Sequence, residues 1–136
     1  MICAVIDTNV FVSALITPNP NSPTIEVYHK MLDGTITPLY NKDILNEYKE
    51  VLSRPHFKID STKLDIIFKS IRKHGISSDR VSYEEPMLDE SDRVFYEIAL
   101  SKDDAYLVTG NLKHFPKAPI VVTPAQMLDI IRQQEA

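Results

Sequence analysis

Cysteine is nearly absent: Cys3 is the single one in 136 residues. No disulfide can form within one chain, and no cysteine cluster can hold a metal. Glycine is almost as scarce. Gly34, Gly75 and Gly110 are the three in the chain, too far apart to build a glycine-rich phosphate loop, which argues against a plain nucleotide-binding module. No apolar stretch reaches the length that spans a bilayer, so no membrane helix is expected. The N-terminus has neither a basic segment nor a small-residue cleavage site, so no signal peptide is expected and a cytoplasmic location is. Positive charge is in deficit too. Fifteen Lys and Arg face nineteen Asp and Glu, for a net charge of −4. Proteins that bind phosphate usually carry a positive field, so a polyanion would bind here where cations neutralise acidic groups.

What is present is a soluble globular composition, with 43% hydrophobic and 25% charged residues. The length suits one domain over 1–136. Ile2 to Ile6 form an unbroken apolar run that ends on Asp7, the pattern of a strand buried on both faces. A helix is predicted over 8–15, broken by the three prolines of TPNPNSP at 17–23. Helical periodicity resumes over 24–32, and a strand follows over 35–39. Helices are predicted over 42–53, with Ile44, Tyr48, Val51 and Leu52 inward, and over 61–74, with Leu64, Ile67, Phe68 and Ile71 inward. A short strand over 81–83, a helix over 92–101, strands over 105–109 and 120–123, and a helix over 124–133 complete the chain. Strands alternate with helices throughout. That alternation predicts a three-layer α/β/α sandwich around a mostly parallel sheet.

In open α/β sheets, ligands collect beyond the carboxyl ends of the strands. Asp7 stands there after the first strand, and Thr109-Gly110-Asn111 after the fourth. Glycine at 110 allows a sharp turn or close approach to a ligand. Glu47 lies beside the apolar stripe of its helix, and Asp92 lies on the inward side of its own. An inward carboxylate is unfavourable unless something cationic meets it. Each acid also has a simpler reading. Asp7 or Thr8 can cap a helix, Asp92 can complement a helix dipole, Glu47 can lean to solvent, and Asn111 can serve a turn. The coincidence of four such positions favours a shared site.

The chain resembles the PIN-domain family, most closely the branch of toxin components of toxin–antitoxin systems (VapC-like ribonucleases). The resemblance rests on VIDTNVFVSAL (5–15), YNKDILNEYKEVLSRPHF (40–57), DESDRVFYEIAL (89–100), YLVTGNLKHFP (106–116) and IVVTPAQML (120–128). It implies a metal-dependent ribonuclease with a parallel sheet between helices. Asp7, Glu47 and Asp92 match the family's acids, and so are the expected ligands of Mg²⁺ or Mn²⁺ and the expected catalytic residues. Thr8 or Asn9 matches the polar residue that orders the first acid, and Thr109 stands with them as a positioning group. At the fourth position many relatives carry Asp after Thr-Gly, whereas here Asn111 stands. Asn still offers a carbonyl oxygen to a hard cation but removes one negative charge. The resemblance also implies a small antitoxin partner and, for many members, a homodimer.

The chemistry implied is hydrolysis of an RNA phosphodiester by water at a carboxylate-held ion. Two other readings use the same residues. One keeps the fold but binds RNA or a protein without cutting it, as Asn111 would favour. The other is an aspartyl-phosphate type phosphatase, against which position 9 is Asn and the one candidate lysine is Lys113. His114 either contacts substrate or is simply solvated, with solvation the default. Two basic sets, Lys42, Lys49, Arg54 and Lys58, then Lys63, Lys69, Arg72 and Lys73, either steer phosphate or are ordinary solvated surfaces. Tyr40, Tyr48 and Phe57 either stack on bases or pack in the core, with core packing the default, and no residue is named as RNA-binding.

Overall fold

The computed structural model describes residues 1–135. Five strands form one all-parallel sheet: β1 (Ile2–Ile6), β2 (Ile36–Tyr40), β3 (Ile76–Ser77), β4 (Tyr106–Val108) and β5 (Val121–Val122), in the spatial order β3-β2-β1-β4-β5. Six helices accompany it: α1 (Thr8–Ile16), α2 (Pro23–Leu32), α3 (Lys42–Leu52), α4 (Ser61–His74), α5 (Arg93–Ala99) and α6 (Pro124–Glu135). Crossovers between parallel strands are right-handed. Those running β1 to β2 to β3 move one way along the sheet, and the one from β3 to β4 moves back. Their helices therefore cover opposite faces. Accordingly α2 packs on β2, α1, α4 and α6, while α5 packs on β1, β2 and β4. This is the three-layer α/β/α arrangement expected from the sequence.

The sheet is built around β1, whose five residues are all buried. That burial explains the unbroken apolar run, since a strand covered on both faces has no polar side to alternate with. Helix starts follow side-chain chemistry. Asn41 Oδ1 accepts from the Ile44 N–H at 2.9 Å at the start of α3, and Asp60 Oδ1 accepts from the Thr62 N–H at 2.9 Å at the start of α4.

Two elements differ from the sequence reading. Residues 81–83 form no strand. The third strand is Ile76–Ser77, directly after Gly75. The segment beyond it is fixed by a buried carboxylate instead. Glu97 of α5 accepts from Arg80 Nε at 2.6 Å and from the Tyr83 N–H at 2.8 Å, and its backbone carbonyl accepts from the Val81 N–H. These contacts give β-type residues a non-strand role that periodicity does not register. The helix expected over 92–101 is split: a 3-10 turn, Glu90–Asp92, precedes the shorter α5. Asp89 Oδ1 accepts from the Ser91 N–H at 2.9 Å and so starts the turn early.

Candidate active site

The strand order reverses between β1 and β4, which makes the gap beyond their carboxyl ends the topological switch point, where such sheets bind ligands. Register carries two polar residues into it. Ile6 pairs with Val108, so the next residues, Asp7 and Thr109, emerge side by side. The Asp7 N–H donates to the Val108 carbonyl at 2.9 Å, and the Thr109 N–H to the Val122 carbonyl at 2.9 Å. The Thr109 hydroxyl donates to Asp7 Oδ2 at 2.8 Å. Both residues are buried.

Burial pushes the Asp7 carboxyl above its ordinary pKa; the Thr109 hydroxyl and the N–H groups of Asn9 and Thr8 pull it back in part. None of those N–H groups meets capping geometry, although Asp7 occupies the N-cap position of α1. Asp7 is thus not spent on capping its helix. The Asn9 side chain is exposed, and only its backbone faces the carboxylate.

Helix α3 supplies Glu47. The Thr8 hydroxyl donates to Glu47 Oε2 at 2.5 Å, so the first residue of α1 orients an acid 39 positions away. Burial raises the Glu47 pKa, the Thr8 hydroxyl opposes this, and the charges of Asp7, Asp89 and Glu50 raise it further. Tyr48, the neighbour of Glu47, ties the layers together. It is buried, donates its hydroxyl to the Ile6 carbonyl at 2.5 Å, and sets its ring against Phe11 and Phe95. One side chain therefore links β1, α1, α3 and α5 beneath the acids. Its assignment to the core holds.

Asp92 arrives at the end of the 3-10 turn before α5. Its Oδ2 is buried and has no hydrogen-bond partner among the described residues. Burial and then the charges of Asp7 and Asp89 push its pKa up to about 6, with His114 lowering it and Glu47 raising it. His114 Nδ1 lies 3.4 Å from Asp92 Oδ2, an electrostatic contact when the imidazole is protonated. The default reading of His114 as a solvated loop residue is therefore corrected. The 3-10 helix Leu112–His114 turns its side chain back toward the acids. Asn111 is exposed at this loop, where its N–H donates to Thr109 Oγ1 at 3.0 Å.

The structure thus gathers Asp7, Thr8, Glu47, Asp92, Thr109 and His114, while the side chains of Asn9 and Asn111 stand at the exposed edge. Asp89 was missed as a member of this electrostatic group, although it acts on both Glu47 and Asp92. The signal was available in DESD, two acids one turn apart. Gly110 is also informative. Its backbone avoids positive φ, and a Cβ built on it would meet no atom within 4 Å. The fold does not demand glycine there, so the sharp-turn reading falls and an open, exposed backbone position remains.

The sequence model of the PIN domain matches residues 3–113. The chain belongs to the PIN-domain family, a nuclease-type fold. No curated protein and no solved structure matches it.

Proposed function

We propose that this protein is a divalent-metal-dependent ribonuclease that hydrolyses RNA phosphodiesters, with Asp7, Glu47 and Asp92 as its working acids. The observation that carries the reading is Asp92 Oδ2, a buried carboxylate oxygen without a hydrogen-bond partner among the described residues. Burial, and then the charges of Asp7 and Asp89, hold its pKa up, against the opposing effect of His114. Such repulsion is unfavourable without a compensating cation.

The donor chemistry fits Mg²⁺ or Mn²⁺, which prefer oxygen ligands. Among the described residues no three His, Cys, Asp or Glu side chains form a ready-made metal cluster. Mg²⁺ does not need one, because it commonly binds through one or two carboxylates together with waters and substrate phosphate. Asp7 and Asp92 would hold the ion, with Glu47 beside them. A bound ion would acidify water and offset charge on the phosphate. The chain's own residues do the rest. Thr109 fixes the rotamer of Asp7, and Thr8 fixes that of Glu47, as outer hydrogen bonds commonly do around carboxylate sites. The Glu47 carboxylate orders the attacking water. Asp92 would serve there as a ligand, and the proton of the water would pass to the Glu47 carboxylate beside it. The open space at Gly110 admits the scissile phosphate.

The resemblance of its motifs to those of toxin components favours a toxin role, with a small antitoxin that covers the acids. A second reading, RNA binding without cleavage, is favoured by Asn111 in place of an acid. Titration of Mg²⁺ and Mn²⁺ with labelled RNA separates the two. Cleavage by the wild type that is lost in Asp92→Asn supports the nuclease. RNA left intact by both proteins at all ion concentrations leaves the binding reading.

A further inference from the structure

Half of each basic set that the sequence shows separately meets the other in space. A cleft of about 640 Å³ opens between α3 and α4 at the carboxyl ends of β2 and β3. Lys42 and Lys49 line it from α3, and Lys69 and Arg72 from α4. Asp65 is the single acid in its lining, so cations outnumber acids four to one there, in a chain whose net charge is −4. Tyr40 and Phe68, both partly buried, supply aromatic surface between the cations.

We propose that this cleft is a binding track for single-stranded RNA, taking the nucleotides that flank the bond placed at Asp7 and Asp92. Cationic walls with an aromatic floor are how proteins hold single strands, phosphates on charge and bases on rings. Position supports the same occupant. The cleft mouth and the acids share one edge of the sheet, because β2 adjoins β1 and β3 adjoins β2. With strands about 4.8 Å apart, the two sites are separated by roughly 10 Å along that edge. A strand of RNA would then meet acids, and any ion they hold, at the bond to be cut, and lysine and arginine beside it. The proposal rests on the nuclease reading for its register, but the cleft's affinity for RNA can be measured without cleavage.

The test uses a fluorescein-labelled single-stranded RNA, about ten nucleotides long to fill a typical single-strand site. Anisotropy titrations in EDTA at several salt concentrations read binding alone. Lys49→Gln/Lys69→Gln removes one cation from each wall. Lys63→Gln/Lys73→Gln removes the same charge from exposed positions of α4 outside the cleft lining. The cleft variant is expected to bind at least tenfold more weakly than the control. Its salt slope should fall by about 1.4, two contacts at roughly 0.7 each. Equal losses in both variants would overturn the proposal, since net charge alone would then explain binding. So would a wild type that binds polyglutamate but no RNA, the signature of an acidic protein partner. Parallel cleavage assays in Mn²⁺ keep the two claims apart. A wild type that binds through the cleft but never cuts refutes the nuclease and upholds the cleft. A wild type that cuts equally well with the cleft variant does the reverse.

Discussion

The Thr109 hydroxyl donates to Asp7 Oδ2 at 2.8 Å, joining residues 102 positions apart at the ends of neighbouring strands. This bond lowers the pKa of a carboxyl that burial raises. Thr109→Val keeps the shape and removes the donor. Its expected effects are a further rise in the Asp7 pKa and a loss of about 1–2 kcal/mol in stability, from a buried acceptor left without its partner. Cleavage should fall roughly 10–100-fold, as for other supports of a carboxylate site. Thermal melts and initial rates in Mn²⁺ check both. Unchanged rates would show that Asp7 needs no anchor.

Asp92 gives a prediction of opposite sign. Its folded pKa of about 6 lies above the ordinary value of 3.8, so the native state retains a proton over that range that the unfolded chain releases. Stability therefore declines as pH rises through the window and stays lower above it. Asp92→Asn should stabilise the metal-free protein at pH 7 by about 1 kcal/mol, after allowance for solvent screening. It should change little at pH 3. Magnesium should raise the melting temperature of the wild type and not of the variant. Calorimetry in EDTA and in MgCl₂ decides. A variant less stable at pH 7 would mean that Asp92 is structural.

Gly110→Ala separates architecture from access. A Cβ there meets nothing within 4 Å and the backbone avoids positive φ. Stability should hold or rise by about 0.5 kcal/mol, because the unfolded chain loses freedom. If phosphate approaches this backbone, KM for RNA should rise several-fold. A fall in melting temperature would contradict the open space.

Glu97 marks the structural use of a buried acid. It is 6% exposed and held by Arg80 and the Tyr83 N–H, and the Tyr83 N–H and Arg80 draw its pKa below the ordinary 4.5. Its contribution is complete above that value and lost as pH falls below it through the folded pKa. Glu97→Gln should cost about 1–2 kcal/mol at pH 7, with Arg80 partly exposed, and much less at pH 3. RNA cleavage at temperatures where the variant stays folded should be retained. Denaturant melts at the two pH values test the difference.

Much of this arrangement was legible in the chain. The run from Ile2 to Ile6, closed by Asp7, announces a strand buried on both faces with chemistry at its end. Alternating elements announce the parallel sheet, and the motif around Thr109 its second polar edge. The acids at 47 and 92 stood out through their place beside apolar stripes and through the family motifs, although Asp92 closes a 3-10 turn rather than lying on a helix face. What escaped has a common cause. The pairings of Glu97 with Arg80 and of Asp92 with His114 join segments that no periodicity relates. Residues 81–83 carry strand chemistry but are claimed by a side chain further along. The basic cleft was divided between two helices and became visible only when α3 and α4 stood together.

The central position of β1 has a consequence for synthesis. β1 leaves the ribosome before the other four strands, yet one of its two neighbours, β4, is made about a hundred residues later. Until then the nascent strand has an open flank, and Asp7 lacks the hydroxyl that holds it. Closure requires contacts distant in sequence, which form slowly. The gap between Asp7 and Thr109 therefore stays incomplete on the translating ribosome, because no early fragment contains both of its halves.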